Sequence, residues 1–360
     1  MEMTFRWYGE DDPVTLKNIR QIPTVRGIIS AVYDIPVGEV WPVENIQRIK
    51  DMVEQHGLRL SGIESVPVHE DIKMGKDSRD KLIENYKQTL RNIAECGIDM
   101  VCYNFMPVFD WTRTDLAYEL YDGSNALIFD ECVARRMDPL NGDLSLPGWD
   151  SSYTKEETAD IIKNYSEIDN EKLWKNLEYF IKKIIPVAEE VGIKMAIHPD
   201  DPPYSIFGLP RIITGKEAIA RFLDIYDSPN NGLALCVGSY ASNPTNDVND
   251  ILRYALERNR VNFMHTRNIL LKEGKSFEES AHPTEYGSID MYKVIKALSD
   301  YDWNGPIRPD HGRMIWGETG RPGYGLYDRA LGATYLSGLW EAIRNMENKD
   351  LLQKKFGKET

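Results

Sequence analysis

The chain is poor in cysteine: Cys96, Cys102, Cys132 and Cys236 form no Cys-x-x-Cys pair and no dense framework. That pattern points to neither a zinc ribbon nor a disulfide scaffold, and it suits a reducing compartment. No stretch is apolar for the length a membrane span needs, and the first residues lack a basic start followed by an apolar run. A cytoplasmic protein with no membrane partner is therefore expected. Positive charge is also short, since 57 acidic against 43 basic residues give a net charge of −14. Such a balance argues against a broad phosphate-binding face, hence against nucleic acid, and favours a small-molecule partner. The sequence has no G-x-G-x-x-G, no G-x-x-x-x-G-K-[ST], no H-E-x-x-H and no G-x-S-x-G. The commonest cues for dinucleotide, triphosphate, zincin and serine-hydrolase chemistry are thus missing.

What is present is an alternation. A length of 360 residues admits two domains or one large barrel and does not decide between them. Apolar, β-branched runs predict strands at residues 4–9, 25–32, 59–66, 99–105, 194–198, 232–237, 261–266 and 306–310. Helical spacing predicts helices at 12–22, 42–56, 77–96, 170–191, 215–226, 247–259, 289–301 and 327–346. This order favours an α/β fold, a single (β/α)8 TIM barrel over residues 1–360, ahead of a doubly wound sheet. The rhythm breaks at residues 107–169, an insertion after the fourth strand that sets Trp111, Tyr118, Tyr121, Phe129, Trp149 and Tyr153 among Gly, Pro and Asp. Stretches of that length are usually functional, so a cap of helix and hairpin is expected over the site or at a subunit contact. Its aromatics favour a homo-oligomer, a dimer first.

Four predicted strands end in side chains that bind metals: His198, Cys236, His265 and Asp310. In a βα barrel those ends meet at the face where the loops open. Two imidazoles, a thiolate and a carboxylate suit a divalent first-row ion; softness favours zinc or iron, and manganese fits if the substrate brings several oxygens. Taken singly, each has a plainer explanation. A lone strand-end Cys is more often a small buried residue, and Asp310 alone would simply pair with Arg308. Arg6, Arg308, Arg313 and Arg321 gather near the expected mouth and suit an anionic substrate such as a carboxylate, although solvated charges are the ordinary alternative. Asn104 ends the fourth strand and could bind hydroxyls. Tyr324 lies in the glycine-flanked run Arg321-Pro-Gly-Tyr-Gly. His56 and His282 read as surface residues, and His69 could approach the mouth from the third loop.

These motifs carry a resemblance. His-Pro-Asp-Asp-Pro-Pro at 198–203, Cys236-Val-Gly-Ser, Met264-His-Thr-Arg, and Arg-Pro-Asp-His-Gly followed by Pro-Gly-Tyr-Gly closely resemble the mannonate dehydratase family of hexuronate degradation. The opening Phe-Arg-Trp-Tyr-Gly and Asn-Phe-Met-Pro-Val-Phe-Asp-Trp-Thr-Arg-Thr-Asp at 104–115 look like the same family, so the likeness runs nearly end to end. It implies a xylose-isomerase-like barrel, an Mn2+ or Fe2+ ion with Zn2+ the weaker choice, and dehydration of D-mannonate to 2-keto-3-deoxy-D-gluconate. His311 and Tyr324 are the pair expected to move protons, since acid and base groups work best with pKa values near the working pH. Sequence does not decide which takes the proton from carbon two; the assignment carried forward is Tyr324 as base and His311 as acid. Two rivals stand beside it: a metal-dependent aldose–ketose isomerase on the same barrel, and a non-catalytic sugar-acid binding protein.

Overall fold

The structure is a computed structural model that describes residues 1–138 and 155–356, with the side chains of 155–158 and 348–356 left aside. Eight parallel strands close a barrel in the order β1-β12-β9-β8-β7-β4-β3-β2. They are β1 (Glu2–Arg6), β2 (Gly27–Ser30), β3 (Arg59–Glu64), β4 (Met100–Tyr103), β7 (Lys194–Ile197), β8 (Asn231–Cys236), β9 (Val261–His265) and β12 (Pro306–Arg308). Every predicted barrel strand forms, most at shorter limits than the apolar runs suggest; β1 and β8 begin earlier, at Glu2 and Asn231.

Each strand feeds a helix that lies on the barrel wall. The helix Asn170–Val191 shows why: Asp169 caps its first turn through the Lys172 amide, Gly192 stops it in a left-handed conformation, and Leu173, Leu177, Phe180, Ile181, Ile184 and Ile185 are wholly buried. Inside the barrel a second, smaller cluster of Ile29, Met100, Cys102, Ala196, Ala234 and Phe263 fills the lumen. It forms the floor beneath the strand ends, and the Phe263 ring meets His265 edge-on at 4.5 Å.

Two local expectations change. The first helix is Leu16–Arg20 rather than 12–22, because Thr15 and Asn18 form a reciprocal capping box; Asp12 instead accepts the Tyr8 and Val14 amides upstream. His69 is not at the mouth but caps an unexpected short helix, Glu70–Met74, through the Asp71 amide.

The cap is larger than expected. The insertion gives the hairpin β5 (Asp115–Glu119) and β6 (Asn125–Phe129), then short helices at Glu131–Ala134 and Lys155–Tyr165. Trp149 and Tyr153 lie outside the described residues. A second hairpin, β10 (Asn268–Leu271) and β11 (Phe277–Ser280), rises from the loop after β9 and pairs β11 with β6. The result is a four-stranded antiparallel sheet in the order β10-β11-β6-β5. Phe129 stacks on Phe277 across that seam at 5.7 Å.

Candidate active site

Sheet register delivers the site. Cys236 lies opposite His265, and Arg308 lies opposite His265 on the other side, so three adjacent strands end at one level. Tyr103 pairs with Ile197, which puts His198 one residue beyond the same rim. Donor atoms of His198, Cys236 and His265 all fall within 4.8 Å of one another. Asp310 joins them, with Oδ2 3.5 Å from the Cys236 sulfur and Oδ1 3.8 Å from His265 Nδ1. Its backbone φ is 67°, a left-handed conformation uncommon outside glycine and one that gathers at functional sites. His198 and Asp310 line a cavity of about 390 Å³; Cys236 and His265 are fully buried behind them.

The donor chemistry fits a divalent cation. His198 Nδ1 sits 2.7 Å from the Pro199 carbonyl, which can only accept, so Nδ1 carries the proton and Nε2 keeps a free lone pair. His265 Nε2 is buried without a hydrogen-bond partner among the described residues. Burial lowers both imidazoles, His265 well below its ordinary value, and keeps them neutral donors. Burial alone would raise Asp310, but Arg308, His311 and Arg267 hold it well below the usual carboxylate range. Burial pushes the Cys236 thiol up to about 12 against the pull of Arg267. Its sulfur nonetheless faces three donors: Arg267 Nη1 at 2.9 Å, Ser239 Oγ at 3.1 Å and the Ser239 amide at 3.4 Å. Gly238 permits the approach of Arg267, because a Cβ there would stand 2.5 Å from its Cγ.

Beside this cluster stands a hydrogen-bonded pair. His311 Nε2 is 2.9 Å from the Tyr324 hydroxyl, and both side chains are buried on the cavity wall. Burial lifts Tyr324 well above an ordinary phenol, so it is protonated at neutral pH. Gly323, at φ 77°, lets the loop turn inward to bring the phenol down; a Cβ there would strike Leu127 at 2.6 Å. Buried Arg329 holds the same loop by donating to the carbonyls of Tyr324 and Gly325 at 2.6 Å, and to that of Arg6 at 3.2 Å.

The arginines divide. Arg6 and Arg308 line the cavity, with Arg6 Nη1 and Arg308 Nε and Nη1 buried and unpartnered among the described residues. Buried guanidinium protons without acceptors are costly, and an anion entering the cavity would satisfy them. Arg321 reaches the mouth, stacked over Tyr8 at 4.1 Å. Arg313 does not line the cavity: it bonds Asp328 at 3.0 Å and Asp122 at 2.8 Å, tying the final helix to the cap. Asn104 lines the cavity, but its amide already donates to Asp110 at 2.8 Å and accepts from the Met106 amide at 3.1 Å. His282 is not a surface residue; it is buried with Nε2 2.8 Å from the Pro309 carbonyl.

Sequence reasoning missed a second set of charges. Arg267 bridges Asp310 at 2.5 Å and Asp201 at 2.7 Å, and Arg113 bonds Asp201 at 3.0 and 3.1 Å and Glu279 at 2.7 Å. Glu64, ending β3, meets Arg308 at 3.0 Å. Its position at a strand end, like that of His198, was the available signal for Glu64.

Comparison with known proteins identifies the family. The D-mannonate dehydratase (UxuA) family model matches residues 1–350. A mannonate dehydratase of Streptococcus uberis is 72% identical over 343 residues, covering 95% of this chain and 99% of that one. The crystal structure of mannonate dehydratase from Streptococcus suis serotype 2 superposes with a TM-score of 0.90 at 58% identity, covering 96% of each chain. A xylose isomerase domain protein from Planctomyces limnophilus, at 14% identity and a TM-score of 0.55 over 95% of this chain and 98% of that one, shares the fold alone. With barrel, rim and sequence in agreement, the chain belongs to the mannonate dehydratase family.

Proposed function

We propose that this chain removes water from D-mannonate to give 2-keto-3-deoxy-D-gluconate in hexuronate catabolism, working as one barrel domain in the cytoplasm. The observation that carries this is the opening of the His311–Tyr324 pair onto the cavity lined by His198 and Asp310, with Cys236 and His265 directly behind them. His198, Cys236, His265 and Asp310 would hold a divalent ion, manganese or iron ahead of zinc. When bound, such an ion stabilises the negative charge that develops beside the substrate carboxylate.

The remaining work falls to side chains. Arg308 and Arg6 take the carboxylate, which satisfies their unpaired protons and lowers the cost of charge on carbon two. Tyr324, having passed its own proton to His311, takes the proton from carbon two. His311 gives that proton to the hydroxyl leaving carbon three, which departs as water. The resulting enol releases its carbon-two hydroxyl proton and takes one at carbon three to become the keto acid. A neutral sugar would bring no charged acceptor to Arg6 Nη1 or to Arg308 Nε and Nη1, so the dehydratase is the better fit. No described helix is long and apolar enough to cross a membrane. The exposed Tyr121 and Tyr118 at the hairpin tip suit a homodimer contact.

The test is incubation of the manganese- or iron-reconstituted chain with D-mannonate under anaerobic conditions, followed by NMR. Appearance of the carbon-three methylene of the keto-deoxy acid is expected. Tight binding without turnover, or conversion of a neutral aldose instead, would overturn the assignment.

A further inference from the structure

We propose that Glu279, carried on the cap strand β11, is a positioning residue for proton transfer: it locks the His311 ring so that Nε2 faces the Tyr324 hydroxyl. The proposal rests on the dehydratase reading above and deepens it, since it makes the cap part of the reacting machinery.

The geometry is specific. Glu279 Oε1 and Oε2 lie 2.8 and 3.0 Å from His311 Nδ1, while His311 Nε2 lies 2.9 Å from Tyr324 Oη. An ionised carboxylate only accepts, so Nδ1 carries a proton and Nε2 is left to exchange one with the phenol. Glu279, His311 and Tyr324 are each at most 5% exposed, so these bonds lie in a low-dielectric setting that strengthens them. Burial would raise Glu279, yet His311, Arg113 and Arg267 keep it below the ordinary carboxylate value.

The carboxylate is itself fixed. Arg113 donates to Glu279 Oε1 from Nη2 at 2.7 Å and from Nε at 3.1 Å, and grips Asp201 with its other face. Arg267 Nε stands 3.5 Å from the same oxygen. Glu279 therefore cannot swing away without leaving charge unpaired in a dry interior. A plainer role exists, counter-charge to Arg113, and it would be indifferent to the orientation of His311. The bracketing of Nδ1 by both carboxylate oxygens is what that role leaves unexplained. With ring and carboxylate held, a proton can pass between Tyr324 and His311 without either side chain moving.

Three readouts on the metal-loaded protein test this. Glu279→Gln should lower kcat for D-mannonate about 100-fold, the scale on which groups orienting a functional imidazole act. KM should stay within about threefold and metal content should be unchanged, since a side chain that only orients the ring affects turnover rather than binding. Glu279→Asp should recover part of the loss. In zinc-loaded protein with 15N-labelled histidine, His311 should be protonated at Nδ1 in the wild type and lose that signature in Glu279→Gln. Unchanged kcat, no recovery by aspartate, or a wild-type His311 protonated only at Nε2 would overturn the proposal. The NMR signature decides even if a variant fails to fold. If the wild type does not dehydrate mannonate, the functional assignment fails separately, and the same signature still judges the Glu279 contact.

Discussion

Two groups of buried polar residues share the barrel mouth and are built in opposite ways. His198, Cys236, His265 and Asp310 come from the ends of strands neighbouring in the sheet, so barrel register alone gathers them. Arg113, Asp201 and Glu279 come from two loops and the cap strand β11, and the pairing of β6 with β11, a backbone hydrogen bond from Thr112 to Asp201 and a network of ion pairs bring them together. The first group is anchored by the most regular part of the fold. The second depends on the cap being closed, so it couples the cap's integrity to the orientation of His311.

That contrast can be broken at either end. The largest effect is expected at the donors: Cys236→Ser or His265→Ala should lose bound metal by elemental analysis and fall to background turnover, with the fold intact by circular dichroism. Next, His311→Asn and Tyr324→Phe should each cost about 10²–10⁴-fold in kcat, the usual worth of a positioned acid or base, while retaining metal. Arg113→Ala, which takes from buried Asp201 and Glu279 one of their two guanidinium partners, should lower stability by about 3 kcal/mol in urea unfolding. Arg6→Ala should raise KM for D-mannonate about tenfold, the equivalent of one charge-assisted hydrogen bond of roughly 1.5 kcal/mol, in steady-state kinetics. The smallest change in catalysis is expected for Arg313→Ala. Its kcat/KM should stay within about twofold, with a loss of roughly 1–3 kcal/mol from freeing the nearly buried Asp328.

The same contrast explains what could be read from the chain. The convergence of His198, Cys236, His265 and Asp310 was legible because each closes a short apolar run, and a parallel barrel turns such endings into neighbours. Arg313 misled because the polar run from Arg308 reads as one continuous rim, whereas the backbone turns at Asp310 and carries Arg313 away toward Asp122. Glu279 was hidden in Phe-Glu-Glu-Ser, where adjacent acidic residues look like a solvated turn. The signal was alternation: Phe277 and Glu279 share the buried face of β11, and Glu278 points outward to Lys272. Reading that required knowing that residues 128 and 129 pair with 278 and 277, a long-range match that no local period supplies. His282 looked exposed for the same reason, since the carbonyl that satisfies it belongs to Pro309.

The most direct test is anomalous diffraction at the manganese edge from crystals reconstituted anaerobically with that ion. A single strong peak per chain, bounded by His198, Cys236, His265 and Asp310, is the predicted result. A peak elsewhere, or none in protein that still dehydrates D-mannonate, would contradict the convergence of these four residues on one catalytic cation.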